Sequence, residues 1–117
     1  MKYYANLPEN NQHVTHIKIE TYYSLGGYNP FTGKTEERGY YIGVSPVERR
    51  RTDYGVTTES YTAFSGTKRC VKTVSRKSKK AEEQAEENAK NYVHDLVLYV
   101  CTRNGLPVPE QFAEKEA

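Results

Sequence analysis

The sequence predicts a two-layer α+β domain: an antiparallel sheet of three to four strands packed against one long C-terminal helix. Three observations carry that expectation. Apolar residues at Ala81, Ala85, Ala89, Tyr92, Val93, Leu96, Val100 and Cys101 follow mostly at gaps of three and four, which lines them along one face of a helix over residues 77–104. Residues 14–23 alternate, with Ile17, Ile19, Thr21 and Tyr23 on one side and His16, Lys18, Glu20 and Tyr22 on the other. Strands that follow one another closely usually pair as neighbours, so a meander is the simplest sheet. A chain of 117 residues is expected to be a single domain (1–117) with a modest core.

Taken in order, residues 1–12 contain Pro8, three Asn and a Gln, and read as an N-terminal arm anchored by Tyr3 and Tyr4. The first strand, 14–23, is broken by Gly26-Gly27, Asn29-Pro30 and Thr32-Gly33, a loop too long for a tight hairpin that carries Tyr28 and Phe31. The second strand, 38–47, puts Tyr40, Ile42 and Val44 on one face. Tyr41 lies opposite, between Gly39 and Gly43, where small neighbours leave its ring room to be approached. Pro46 marks a strand end or edge. Residues 48–53, with Arg49-Arg50-Arg51, read as an exposed turn. A third strand over 57–64, a turn or bulge at Ser65-Gly66-Thr67 and a short fourth strand over 69–74 follow. Ser75 or Ser78 can cap the helix, and Asn104-Gly105 with Pro107 ends it. The helix start is strongly charged, so its first half is expected to project into solvent while the sheet covers the second. Tyr92, Val93, Leu96 and Val100 should then meet Ile17, Ile19, Ile42 and Val44. Residues 106–117 read as a frayed acidic tail.

Nothing in the sequence assembles a catalytic centre. His13 and His16 fall on opposite faces of a strand by parity, and His94 has only Asp95 near it in sequence. Cys70 and Cys101 match no metal or redox spacing, no cluster of His, Cys and carboxylates is visible, and no phosphate-binding loop is present. The expectation is a non-enzymatic protein with no cofactor and no metal. The longest apolar run, 96–101, is far too short to cross a membrane, so a cytoplasmic location with two reduced thiols is expected.

Charge is segregated although the net value is only +2. Residues 48–80 hold ten Lys/Arg against three acids, and residues 81–117 hold three against eight. The cations are Arg49, Arg50, Arg51, Lys68, Arg69, Lys72, Arg76, Lys77, Lys79 and Lys80, with Tyr41, Tyr54 and Tyr61 interleaved. Phosphate contacts joined to stacking platforms need that mixture. Four of these cations crowd a helix N-terminus, where each opposes the helix dipole at up to about 1 kcal/mol when exposed. Glu82, Glu83, Glu86 and Glu87 can offset part of this through pairs four residues apart.

Three resemblances bear on function. Lys77-Ser78-Lys79-Lys80-Ala81, followed by Ala85 and Ala89, resembles the start of the last helix of double-stranded RNA-binding domains, whose basic end spans a phosphate groove. That family's first helix has no counterpart in residues 1–12. The order of strands and helix resembles the arm-site DNA-binding domains of some integrases. Tyr22-Tyr23-Ser24-Leu25-Gly26-Gly27-Tyr28-Asn29, Arg38-Gly39-Tyr40-Tyr41, Val44-Ser45-Pro46-Val47 and Tyr61-Thr62-Ala63-Phe64-Ser65-Gly66 resemble small proteins of unassigned function encoded on conjugative and phage-like mobile elements of gut Firmicutes. That resemblance implies an accessory that binds host nucleic acid or disables a host defence protein, as anti-CRISPR inhibitors do. Inhibitors that mimic DNA are strongly acidic, whereas this chain is mildly basic and offers only the run 82–87 for mimicry.

The expected function is therefore a small binding module that engages nucleic acid or a nucleoprotein through its cations, with Tyr41 and Tyr61 as platforms. The turn at Arg49–Arg51 and the helix start should converge in one patch, with Lys72 between them. The alternative is a protein inhibitor of a host defence nuclease, such as a CRISPR nuclease, docking through Tyr28, Phe31 and the charged helix start. A homodimer is a third expectation, from the apolar last turns of the helix.

Overall fold

Strand β5 (Gly39–Arg51) is the axis of the fold, and every other strand of the main sheet is placed by it. The computed structural model describes residues 1–112. One edge of β5 takes β2 (His16–Ser24) along nearly its whole length, from His16 opposite Val47 to Ser24 opposite Gly39. β1 (Lys2–Asn6) pairs with the outer edge of β2. The other edge of β5 is shared. β6 (Thr57–Tyr61) covers its second half and β7 (Thr67–Thr73) its first, so the two lie end to end with residues 62–66 between them. All pairings are antiparallel. Between β2 and β5, β3 (Gly27–Asn29) and β4 (Lys34–Glu36) form a separate two-stranded ribbon.

Alternation sorts each strand into two faces. Ile17, Ile19, Tyr40, Ile42, Val44 and Ala5 point to one side and are buried with the helices. Val47 and Tyr41 point to the other side and are also buried, though no helix covers them. Residues 1–12 are thus not a free arm. Lys2–Asn6 is an edge strand, because Tyr3 and Ala5 alternate with Lys2, Tyr4 and Asn6 in step with β2.

The expectation of one long helix packed on a three- to four-stranded sheet is overturned. The chain is α+β, but strand outweighs helix, 40% to 24%, and the helical segment divides into α1 (Lys79–Lys90) and α2 (Val93–Asn104). The reason lies in the spacing. Ala81, Ala85, Ala89, Val93 and Val97 are all buried, and they recur every four residues. Each such step overshoots a turn by about 40°, so four steps carry the stripe about 160° around a straight helix. One straight helix cannot keep all five on the sheet. At Asn91 and Tyr92 the chain tightens to i→i+3 bonds (Asn91 N–H to Asn88 O, Tyr92 N–H to Ala89 O), which resets the buried face. Asn88 marks the place by donating its side-chain amide to Val71 O, 2.9 Å away.

Two further expectations change with it. The first helical half does not project into solvent, since Ala81, Ala85 and Ala89 lie in the core and only its outer face is charged. In α2 the fully covered residues are Val97, Val100 and Cys101, while Tyr92 and Leu96 are only half-buried. Of the apolar last turns that suggested self-association, Val97, Val100 and Cys101 cover the chain's own sheet, while Tyr99 is exposed. Ser78 is the N-cap of α1, its Oγ accepting from Ala81 N–H, and Gly105 ends α2 in the left-handed region at φ 66°. Beyond it, Leu106 and Pro109 are buried and Glu110–Phe112 form a 3₁₀ turn, so the expected frayed tail starts no earlier than residue 113, outside the described residues. No described helix is long and apolar enough to cross a membrane.

Candidate nucleic-acid interface

The ten cations do not form one patch. Arg49, Arg50 and Arg51 are not in a turn but in the last three positions of β5, paired with Glu59, Thr58 and Thr57 of β6. The start of α1 sits at the opposite end of β5, where Tyr40 Oη donates to Ser78 O at 3.4 Å. At about 3.3 Å per strand residue, roughly 30 Å separates Tyr40 from Arg49–Arg51. The expected convergence of turn and helix start is overturned, because hydrophobic alternation runs on through Pro46 and carries the arginines into the sheet.

In that strand two of the three arginines have partners, and only Arg49 is withdrawn from solvent. Arg49 lies with its guanidinium carbon 3.9 Å from the ring centre of Tyr4, on the face without helices. Its Nε is buried and has no hydrogen-bond partner among the described residues. Arg50 Nε is 2.8 Å from Glu48. Arg51 is exposed.

The face without helices is lined by rings that already hold cations. Tyr41 is buried rather than open to approach. It stacks on Tyr22 with ring centres 5.9 Å apart, and its hydroxyl donates to Glu37 O. Burial raises the pKa of both tyrosines. Lys68 lies 5.6 Å from the Tyr41 ring and 2.6 Å from Glu36. Tyr61 is 72% exposed, with the ammonium of Lys18 at 5.5 Å. Lys18 is a buried cation held between Glu20 at 3.7 Å and Glu59 at 3.6 Å. Burial opposes its charge, but the two carboxylates and Tyr61 outweigh that and raise its pKa. A groove of about 430 Å³ crosses this face between Lys18, Tyr22, Gly43, Ser45 and Lys68. Its cations are neutralised by their partners. Arg69, on the helix face, lies 4.2 Å from the ring of Tyr92.

The remaining cations gather at one end. Arg76, Lys77, Lys79 and Lys80 are exposed, Lys72 is half-buried, and none of the five makes an ion pair among the described residues. The pairs expected from Lys79 or Lys80 to the glutamates one turn on are not formed. Lys77 instead sits 5.0 Å from the ring of Tyr23.

The Tyr28/Phe31 loop arises at this same end, because Ser24, Gly39 and Thr73 are aligned across three neighbouring rows. Arg38 ties the two segments together. Its Nε donates to Leu25 O at 3.4 Å and its Nη1 to Ser75 O at 3.1 Å. Two glycines permit this junction. Gly26 has φ 73°, and a Cβ there would meet Glu36 O at 2.6 Å; at Gly39 it would meet Lys72 O at 2.2 Å. Tyr28 is 67% exposed and Phe31 97% exposed. Arg38 and Lys34 also belong to this end, although neither stands out in the sequence as a site residue. The signal for them was the matched pair Gly26-Gly27 and Arg38-Gly39, which marks a loop that returns to its own root.

The three histidines have different surroundings. His13 is in a loop at φ 59°, His94 is an exposed neighbour of Asp95 at 3.6 Å, and His16 Nδ1 contacts Thr15 Oγ1 at 2.7 Å. Among the described residues no three His, Cys, Asp or Glu are grouped so as to hold a metal ion. Cys70 is exposed and Cys101 is buried, and both are free. No protein-family model, curated protein or solved structure is found to match the chain.

Proposed function

We propose that this protein is a non-enzymatic binding module of the cytoplasm that engages nucleic acid, or a nucleoprotein, through the basic end of its sheet. Accessories of mobile elements are modules of this kind. The observation that supports the reading is the contrast between the two ends. Arg49 is packed against Tyr4, and Arg50, though exposed, is ion-paired with Glu48, whereas Arg76, Lys77, Lys79 and Lys80 are exposed, make no ion pair among the described residues, and are placed where the helix dipole disfavours them. Four such cations contribute little to stability, so a partner's phosphates account for them better than the fold does.

The test is a titration of labelled DNA and RNA by fluorescence anisotropy across a salt series. Binding should weaken steeply with salt, and replacing Lys77, Lys79 and Lys80 by Ala should lower the slope of log affinity against log salt by about 2–3. Replacing Arg50 and Arg51 by Ala should change it little. Absence of binding at low ionic strength would overturn the reading.

A second reading is favoured by the separation of the cations into two groups and by Phe31. In it the ribbon inserts into a host defence nuclease as a protein inhibitor. Inhibition of one purified nuclease that survives high salt and is lost in Phe31→Ala would select it.

A further inference from the structure

We infer that the nucleic acid engaged at the basic end is single-stranded, with Tyr28 and Phe31 as the surfaces on which its bases stack. This rests on the nucleic-acid reading above. The inference joins three observations. First, the two rings are among the exposed large apolar groups of the chain, and among the described residues neither pairs with another ring or with a cation. The rings of the sheet's helix-free face differ, since Tyr4, Tyr41 and Tyr61 each carry a cation already.

Second, the platform is held in shape. Asn29 Oδ1 accepts from Phe31 N–H at 2.9 Å, and Gly33 N–H donates to Asn29 O at 2.9 Å, which fixes the tip of the ribbon. Arg38 fixes its root against the segment leading into α1. Third, phosphate partners are within reach. Lys34 is exposed on the ribbon itself, three residues from Phe31. Glu36 is neutralised by Lys68, which leaves Glu37 as the exposed acid beside them.

A duplex keeps its bases stacked on one another and cannot use these rings. A single strand presents unstacked bases, and stacking on an aromatic side chain contributes about 1–3 kcal/mol per base. The separation of Arg49–Arg51 from the helix start also removes the broad cationic surface that a duplex backbone would span.

Anisotropy with a labelled 12-nucleotide strand and with the blunt duplex of the same sequence tests this. The single strand should bind at least tenfold more tightly. Phe31→Ala should weaken single-strand binding about 5- to 150-fold, and Tyr28→Ala by a similar factor. Tyr54→Ala should leave it unchanged, since Tyr54 is 95% exposed but lies in the β5–β6 connection at the far end of the sheet. Circular dichroism of each variant establishes that the fold is kept. Equal affinity for strand and duplex, or a neutral Phe31→Ala, would overturn this inference while leaving the nucleic-acid reading in place. Absence of binding to either probe would overturn both.

Discussion

Arg49 lies over the ring of Tyr4, its guanidinium carbon 3.9 Å from the ring centre. The two residues come from strands that are not neighbours, since β2 runs between β1 and β5. The contact therefore crosses three rows of the sheet and fastens its edge strand to its central one. Tyr4 Oη donates to Glu59 at 3.1 Å, and His16 meets the Tyr4 ring edge-on at 6.2 Å. The first arginine of the triplet is thus a structural residue.

A double-mutant cycle checks this. Arg49→Ala and Tyr4→Ala should each destabilise the protein, with a coupling of about 0.5–2 kcal/mol by urea unfolding. Arg51→Ala should change stability by no more than about 0.5 kcal/mol, because its side chain is exposed. Purely additive effects at Arg49 and Tyr4 would show that the contact contributes nothing.

The same cluster makes stability depend on pH. Burial first, and the charge of Arg49 second, lower the pKa of His16, while Glu59 opposes them. The folded chain thus favours the neutral imidazole, whereas the unfolded chain titrates near pH 6.5. Below that pH the unfolded state binds more protons, so stability should fall as pH drops through about 6.5 and level off once His16 is protonated in the folded state as well. His16→Gln should remove that part of the slope between pH 5 and 7. An identical slope in the variant would place the dependence elsewhere.

Packing gives a third prediction. Ile42 is fully buried on β5 against the helices, so Ile42→Ala should cost about 2–5 kcal/mol. Leu96→Ala should cost less, since Leu96 is only half-buried. Ala85 is also fully covered, and Ala85→Leu should cost about 1–3 kcal/mol by overpacking. A tolerated Ala85→Leu would mean that α1 is not seated on the sheet.

The two thiols should behave differently. Cys70 faces solvent on β7, and Cys101 is buried in α2, where burial raises its pKa. Alkylation of the native protein followed by mass spectrometry should label Cys70 alone, and unfolding should release the second site. Because Cys70 stands opposite Tyr41 on the face without helices, no disulfide can join them. An intramolecular bridge in material purified without oxidant would contradict this arrangement.

Much of the local structure was legible. Alternation over residues 14–23 and 38–47 marked β2 and the first part of β5, and Gly105 with Pro107 marked the end of α2, because these signals depend only on neighbours in the chain. The helix break was legible in principle, since a strict four-residue spacing from Ala81 to Val97 cannot stay on one face of a straight helix. Gaps of three and four taken together form one apparent stripe, which hides the break. The edge strand at Lys2–Asn6 was hidden by its polar composition, and it exists only because β2 offers it a partner.

For the candidate site, the sequence determined which residues carry charge and which rings are large. It thereby set the net basic character of residues 48–80. Tertiary structure decided which of those groups are free. The strand rise over β5 put Arg49–Arg51 and the helix start about 30 Å apart, a separation that sequence distance does not encode. Pairing across the sheet withdrew Tyr41 under Tyr22, Arg49 onto Tyr4 and Lys68 onto Glu36. The same pairing aligned Ser24, Gly39 and Thr73, and so brought the Tyr28/Phe31 ribbon to the end of the sheet from which α1 begins. Composition lists the charges, but register alone assigns each one a neighbour, and a charge neutralised inside the chain is less available to a partner outside it.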